Sequence, residues 1–417
     1  MLASSSSGLQ PLCHDDERFA LLQFKESFII NQSASKDASA YPKVSSWKPD
    51  QISDCCKWDG VECNKDTRHV IALDLSSSCL KGFLNSNSSL FRLAHLQNLN
   101  LADNDFNSSP VVISSNVPNI LANLTSLTSL SLSNCDLHGE FPVGIFRLPN
   151  LQHLDIQYNE NLTGCVPEFN RTSPLVSLKL GYTNFYGELP DSIGNLKSLV
   201  EFNAYFCNFS GEIPSSLGNL TNLIGLRLQS NRLQGSIPQS ISRLVNLEVL
   251  YLHDNNLSGT VEFELFLRLR NLLQFLRNQD QLEALDLSGN KIHGQVPKWM
   301  GNVSIETLWA LDLERNFLTG FNQLPVVLPY VNLNYLGLGS NMLQGSLPIP
   351  PPSIAYFSKL HIIDLSNNDL TGKLPSEHFL NWKAMQIVDA ESLKYVEESH
   401  IMVTLAGERV SVATLTQ

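Results

Sequence analysis

The stretch LIGLRLQSNRLQGSIP, Leu223 to Pro238, reads as a strand, a turn and an irregular return. From Gly225 to Gln229, apolar Leu226 and Leu228 alternate with Gly225, Arg227 and Gln229, the period of a strand with one face inward and one in solvent. Asn231 follows where the chain must leave the strand, and a buried amide there can satisfy backbone groups of neighbouring coils. Gly235 and Pro238 then break regular structure on the return path. One such unit cannot bury Leu223, Leu226, Leu228, Leu233 and Ile237 by itself, so units must stack and share one continuous core.

The frame LxxLxLxxNxLxGxxP begins twelve times, at Val70, Leu96, Leu127, Leu151, Leu175, Leu199, Leu223, Leu247, Leu282, Leu308, Leu333 and Leu360. The six consecutive starts from Leu127 to Leu247 are each 24 residues apart, and a fixed period of this length marks a solenoid. Cys135 and Cys207 stand in the Asn slot and read as buried thiols rather than nucleophiles. Asp74, Asp286, Asp312 and Asp364 recur in LDLS-like phrases and read as repetitive filling of an outward slot.

Composition bounds the function. The 417 residues are 43% hydrophobic and 16% charged, ample for a large core. A formal net charge of −12 and a pI near 5.3 argue against nucleic acid as a partner, because such binders cluster Lys and Arg. The densest apolar stretch, Phe263 to Leu276, is interrupted by Glu264, Arg268 and Arg270, so no membrane span is expected in the chain as given. Catalysis finds no HExxH, no GxSxG elbow and no phosphate-cradling glycine loop. No enzyme, metal or cofactor is expected.

Five of eight cysteines, Cys13, Cys55, Cys56, Cys63 and Cys79, crowd the first fifth of the chain, where disulfides would staple a segment too small to bury much apolar surface. Spacing leaves their connectivity open. In the same block Asp15 and Asp16 offer helix N-caps, Glu17 to Phe28 carries Phe19, Leu22 and Phe28 on an apolar stripe, and Trp47 and Trp58 follow as large anchors. Ten sequons, at Asn31, Asn87, Asn107, Asn123, Asn161, Asn170, Asn208, Asn219, Asn256 and Asn302, support a secretory history. Residues 1–12 have no basic or hydrophobic region and read as the remnant of a leader.

The repeated frame is that of leucine-rich repeats, and its LxGx(I/L)P half resembles the plant extracellular subtype. The resemblance implies an α/β leucine-rich-repeat solenoid, a curved right-handed superhelix with a concave parallel β-sheet, behind a disulfide-stapled helical N-terminal cap. Together with Cys13, the phrase CCKWDGVEC, Cys55 to Cys63, is similar to that cap and implies Cys13–Cys55 and Cys56–Cys63 bridges. Phrases such as LDIQYNENLTG, HGQVPKWM and SLPIPPPSI resemble plant receptor-like proteins of the Cf resistance-receptor class. The expected organisation is a leader remnant over 1–12, a cap over 13–69, repeats over 70–375 with irregular joins near 271–281 and 350–357, and a segment over 376–417 similar to that family's non-repeat island. In that segment Phe379, Trp382 and Met385 recur at helical spacing, while Ile401, Val403 and Leu405 alternate as in a strand. The family's full-length form is a single-pass plasma-membrane protein, so truncation within the island is expected.

Outward slots on successive strands recur every 24 positions and define candidate ligand-binding rows on the concave face. One row holds Asp155, Lys179, Asn203, Arg227 and Tyr251; neighbouring rows hold Tyr205, Gln229 and His253, then Tyr158, Tyr182, Phe206 and Asp254; His153 and Glu201 flank them. Exposed aromatics mixed with both charges suit recognition, aromatic faces supplying contact area and charges supplying specificity. The resemblance then implies an extracellular or cell-surface module that binds a protein or peptide ligand in pathogen or peptide perception and signals in defence through partner receptor kinases. Two other readings are an inhibitor of a secreted pathogen enzyme, similar to polygalacturonase-inhibiting proteins, and a truncated paralogue without function.

Overall fold

The computed structural model describes residues 13–49, 53–84, 86–107, 117–169, 173–260, 282–296, 307–321, 332–345, 359–371, 404–405 and 408–409. It divides into two compact units, Met1–Tyr186 and Gly187–Gln417, each a leucine-rich-repeat solenoid.

The first unit contains α1 (Asp15–Lys25), β1 (Phe28–Ile30), β2 (Val61–Cys63), β3 (Val70–Asp74), β4 (Leu80–Gly82), β5 (Asn98–Asn100), β6 (Ser129–Ser131), β7 (His138–Glu140), β8 (His153–Asp155), β9 (Asn159–Gly164) and β10 (Ser177–Lys179). Next comes β11 (Thr183–Glu188), which pairs with β9. Strands β3, β5, β6, β8 and β10 run parallel in strict register, so Leu73, Leu99, Leu130, Leu154 and Leu178 form one inward column. All five are buried. On the return path β7 and β9 pair in a second parallel sheet.

In the second unit β12 (Glu201–Asn203), β13 (Asn208–Glu212), β14 (Gly225–Arg227), β15 (Arg232–Gly235), β16 (Val249–Tyr251), β17 (Asn256–Thr260) and β18 (Ala284–Asp286) lead on to later strands. These are β19 (Lys291–Val296), β20 (Ala310–Asp312), β21 (Phe317–Phe321), β22 (Tyr335–Gly337), β23 (Gln344–Gly345), β24 (Ile362–Asp364) and β25 (Asp369–Leu370). The even-numbered strands pair in parallel and stack Phe202, Leu226, Leu250, Leu285, Leu311, Leu336 and Ile363. Strands β13 to β21 of odd number form the back sheet. The prolines of the frame start short 3-10 turns, Pro142 in the first unit and Pro190, Pro214 and Pro238 in the second. Their fixed φ suits that first position.

Stacking is secured by the Asn slot. Asn231 Nδ2 donates to the carbonyls of Ala204, Leu228 and Gln229 at 2.7, 3.0 and 3.2 Å, and its Oδ1 accepts from Phe209 N at 2.9 Å. Asn104, Asn159, Asn255, Asn290, Asn316, Asn341 and Asn368 repeat this pattern. At Cys135 the buried Sγ donates to Leu101 O at 3.1 Å, and burial pushes its thiol pKa up, as an inert structural cysteine requires. Cys207 is likewise buried.

The cap is pinned by Cys13–Cys55 and Cys56–Cys63, with Cα separations of 5.7 and 5.4 Å, the connectivity the resemblance implied. Trp47 and Trp58 are buried and stacked, ring centroids 5.6 Å apart. The expected helical stripe is corrected. Helix α1 ends at Lys25, its N-cap is His14 without a side-chain cap, and Asp15 and Asp16 lie in its first turn. Its buried face is Glu17, Arg18, Ala20, Leu21 and Phe24, whereas Phe19 is 58% exposed. Apolar character alone misplaced the face, because Glu17 is inside: its carboxylate accepts from Val70 N at 2.9 Å and contacts His69 Nδ1 at 3.1 Å. Phe28 opens β1 and packs on Phe24 and Phe106.

The joins near 271–281 and 350–357, the helical spacing of 379–385 and the sequons at Asn170 and Asn302 lie outside the described residues. Thr404–Leu405 pairs antiparallel with Glu408–Arg409.

Candidate functional site

In the first unit β8 and β10 set Asp155 beside Lys179 and His153 beside Ser177. His153 is exposed, while Asp155 and Lys179 are half-buried. Three residues beyond each strand the backbone turns left-handed, at Tyr158 (φ 57°) and Tyr182 (φ 55°). A side chain other than glycine pays about 1–2 kcal/mol for that conformation, and it throws both rings out to stack with centroids 5.1 Å apart. Tyr158 remains 48% exposed.

In the second unit the same slot holds Phe206 (φ 50°) and Asp254 (φ 51°), both exposed. Phe206 meets Tyr205 edge to face, centroids 6.2 Å apart. Arg227 is the hub of the adjoining row. Its Nη1 donates to Asn203 Oδ1 at 3.3 Å and lies 3.7 Å from Glu201 Oε1, with the guanidinium carbon 5.8 Å from the centre of the Tyr251 ring. His253 Nδ1 contacts Asp286 Oδ2 at 2.8 Å, and Arg315 Nη2 contacts Asp254 Oδ1 at 3.3 Å. Asn203 and Gln229, expected to face solvent, are instead buried. Asn203 folds back to donate to Glu201 Oε1 at 2.9 Å while its Oδ1 accepts from Arg227 Nη1 on the next strand.

One cluster went unread in the sequence. Strand pairing sets Asp286, Asp312 and Gly337 side by side, then Asp364. Tyr335 Oη, from the same face, donates to Glu314 Oε1 at 2.6 Å and sits 3.4 Å from Asp312 Oδ2. Burial first, then the charges of Asp286 and Glu314, push Asp312 up to about 8; burial first, then Asp364, pushes Glu314 up to about 7. The Tyr335 phenol is raised as well, by burial and then by the two carboxylates. Gly337 leaves room for this arrangement, since a Cβ there would stand 2.6 Å from both Asp312 Oδ1 and Tyr335 Oη. The signal was available in LDLE, Leu311 to Glu314, whose outward slots are both acidic, with Asp286 and Asp364 in the same row.

Parallel strands stacked in register, each followed by an asparagine-type slot that ties neighbouring coils together, define a leucine-rich-repeat protein. The comparisons agree. The leucine rich repeat N-terminal domain matches residues 14–64, and the Leucine Rich Repeat matches 126–148, 198–220, 222–244, 246–267, 281–303 and 359–379. The chain's homologues are plant receptor-like proteins. Receptor-like protein 6 of Arabidopsis thaliana is 32% identical over 46% of this chain and 27% of its own length. Receptor-like protein Cf-9 of Solanum pimpinellifolium is 31% identical, over 46% of this chain and 31% of its own. The chain thus spans about a third or less of the length of these relatives. In structure it resembles the Arabidopsis receptor kinase HAESA, solved in complex with the peptide hormone IDA and the co-receptor SERK1, with 29% identity and a TM-score of 0.64, covering 89% of this chain and 60% of that one. Among the described residues no helix is long and apolar enough to cross a membrane.

Proposed function

We propose that this chain is the extracellular ligand-recognition part of a plant receptor-like protein, that it binds a peptide or protein of microbial or plant origin, and that it signals in defence through partner receptor kinases. The observation that carries the reading is the outward aromatic slot, where Tyr158, Tyr182 and Phe206 are held out by left-handed backbone beside paired charges. The same left-handed turn recurs through the repeats, at Asp103, Asn134, Ser230, Arg315, Ser340 and Asn367 among others, so what supports the reading is the aromatic side chains that fill the slot here and not the turn itself. Rigid, half-exposed aromatics supply contact area with little entropy to lose. The receptor-like relatives and a structural neighbour bound to a peptide hormone support it further, and they do not favour the enzyme-inhibitor or fragment readings.

The test is a displayed random-peptide library panned on the secreted chain. Selected peptides should lose about tenfold or more in affinity on Tyr182→Ala or Phe206→Ala, a loss typical of interface aromatics, while Glu212→Ala on the back sheet should leave binding unchanged. Selected peptides indifferent to both face substitutions would overturn the reading.

A further inference from the structure

The first unit holds a peptide segment of its own chain in one of its left-handed slots. Ser35, Lys36 and Asp37 of the cap converge on the Asp103 carboxylate: Ser35 Oγ and, at 3.4 Å, Asp37 N donate to Oδ2, while Lys36 N donates to Oδ1 at 2.9 Å. Ser35 Oγ in turn accepts from Asp37 N at 3.1 Å, so the segment is a serine turn. Burial by itself would raise the Asp103 carboxyl, but these donors and Ser77 Oγ hold it below the ordinary carboxylate range. The bonds to it are therefore charge-assisted, the stronger kind.

The second unit repeats this slot without the segment. Asp103 stands three residues beyond β5 and Asp254 three residues beyond β16, with φ of 57° and 51°. Serine fills the preceding slot in both, and the registration is the same: Ser77 N donates to Ala102 O at 3.0 Å and Ser230 N to His253 O at 2.9 Å, each carbonyl belonging to the residue before the aspartate. Asp103 N and Asp254 N donate onward to Ser133 O and Ser288 O at 2.9 and 3.0 Å. In the first unit both carboxylate oxygens are filled, since Asn134 Nδ2 also donates to Oδ1 at 2.6 Å and Ser77 Oγ to Oδ2 at 2.8 Å. The Asp254 side chain is 44% exposed; among the described residues its Oδ1 meets Arg315 Nη2 at 3.3 Å, and its Oδ2 has no partner. Arg315 reaches it across Gly289, where a Cβ would stand 2.4 Å from Oδ1, and so exposed an ion pair adds little stability.

We infer that Asp254, beside Ser230, is a subsite for a serine or threonine turn of a bound peptide, taking the hydroxyl and the backbone N–H groups that follow it as Asp103 takes those of Ser35, Lys36 and Asp37. Backbone donors are present in any peptide, so the hydroxyl supplies the selectivity. Alanine has no donor to offer in its place, and an acidic residue would face Asp254 with like charge. The subsite rests on the peptide-recognition reading above and adds to it the residue type that this slot selects.

The test uses two pools of synthetic nonapeptides, random over residues other than serine and threonine except for a central serine in one pool and a central alanine in the other, passed over the immobilised full chain. The serine pool should be retained about fivefold or more over the alanine pool, the scale of a hydrogen bond to a charged group averaged over many sequences. Asp254→Gly should bring the pools to near parity without lowering the thermal midpoint, because glycine accepts the left-handed backbone and only an exposed ion pair is lost. Asp103→Gly checks the template: it should release the cap turn and speed tryptic cleavage after Lys36. Equal retention of the pools, no retention of either, a preference that survives Asp254→Gly, or cleavage unchanged by Asp103→Gly overturns the subsite. The broader recognition reading falls only if library-selected peptides ignore Tyr182→Ala and Phe206→Ala, so the two failures are distinguishable.

Discussion

Asn159 shows how much one side chain can carry: Nδ2 donates to the carbonyls of Leu132, Ile156 and Gln157, and Oδ1 accepts from Cys135 N and Leu137 N. The slot accepts substitutes only where they supply a donor, which explains Cys135 through its bond to Leu101 O and Thr183 through Oγ1 donating to Leu180 O at 2.7 Å. Charge is handled less comfortably. Asp312 and Glu314 are raised from 3.8 and 4.5 to about 8 and about 7, so the folded chain holds protons that the unfolded chain releases. The sign follows from linkage: stability from these carboxyls is fully present below about pH 4 and is lost as pH rises through about 7 to 8. The urea midpoint of the second unit should therefore fall between pH 5 and 8 in the natural chain and fall less in Asp312→Asn. A midpoint that climbs across that window would contradict the clustering of these groups.

At the level of elements, the strands were legible because every second residue is fixed by burial, as Leu226 and Leu228 show. The cap helix was less so. Its inner face includes Glu17 and Arg18, and a buried, hydrogen-bonded carboxylate carries no apolar signal in sequence. The same segment carries two cross-links, Cys13–Cys55 and Cys56–Cys63, alongside the buried, stacked pair Trp47 and Trp58. Each bridge should contribute about 2–5 kcal/mol to the cap. Under reductant, the cap should unfold at lower urea than the repeats, seen as a red shift of indole emission that is diminished in Trp47→Phe. Coincident transitions with and without reductant would show that the bridges add nothing.

Across the whole molecule, periodicity revealed which side chains leave the sheet but not what covers them. Gln229 and Asn203 obey the outward alternation yet are buried. The aspartates of the LDLS phrases look repetitive in sequence and become a coupled cluster only where Glu314 and Tyr335 converge. The sequons answer a related question, whether glycans would shield the strand face. Exposed Asn161 and Asn256 lie in the back sheets, Asn123 ends a 3-10 turn, and exposed Asn87 and Asn107 lie in connections. Asn31 follows β1, while Asn208 and Asn219 belong to the back sheet and a 3-10 turn. None of these eight occupies an outward slot of the sheet that bears the candidate ligand rows. Secreted from plant cells, the chain should therefore carry glycans at Asn87, Asn107, Asn123, Asn161 and Asn256 on mass spectrometry of its glycopeptides, and trimming them to single sugars should leave retention of library-selected peptides unchanged. Empty sites at these asparagines would remove the support they give to a secretory history, and retention that rises on trimming would mean that the glycans reach over the strand face after all.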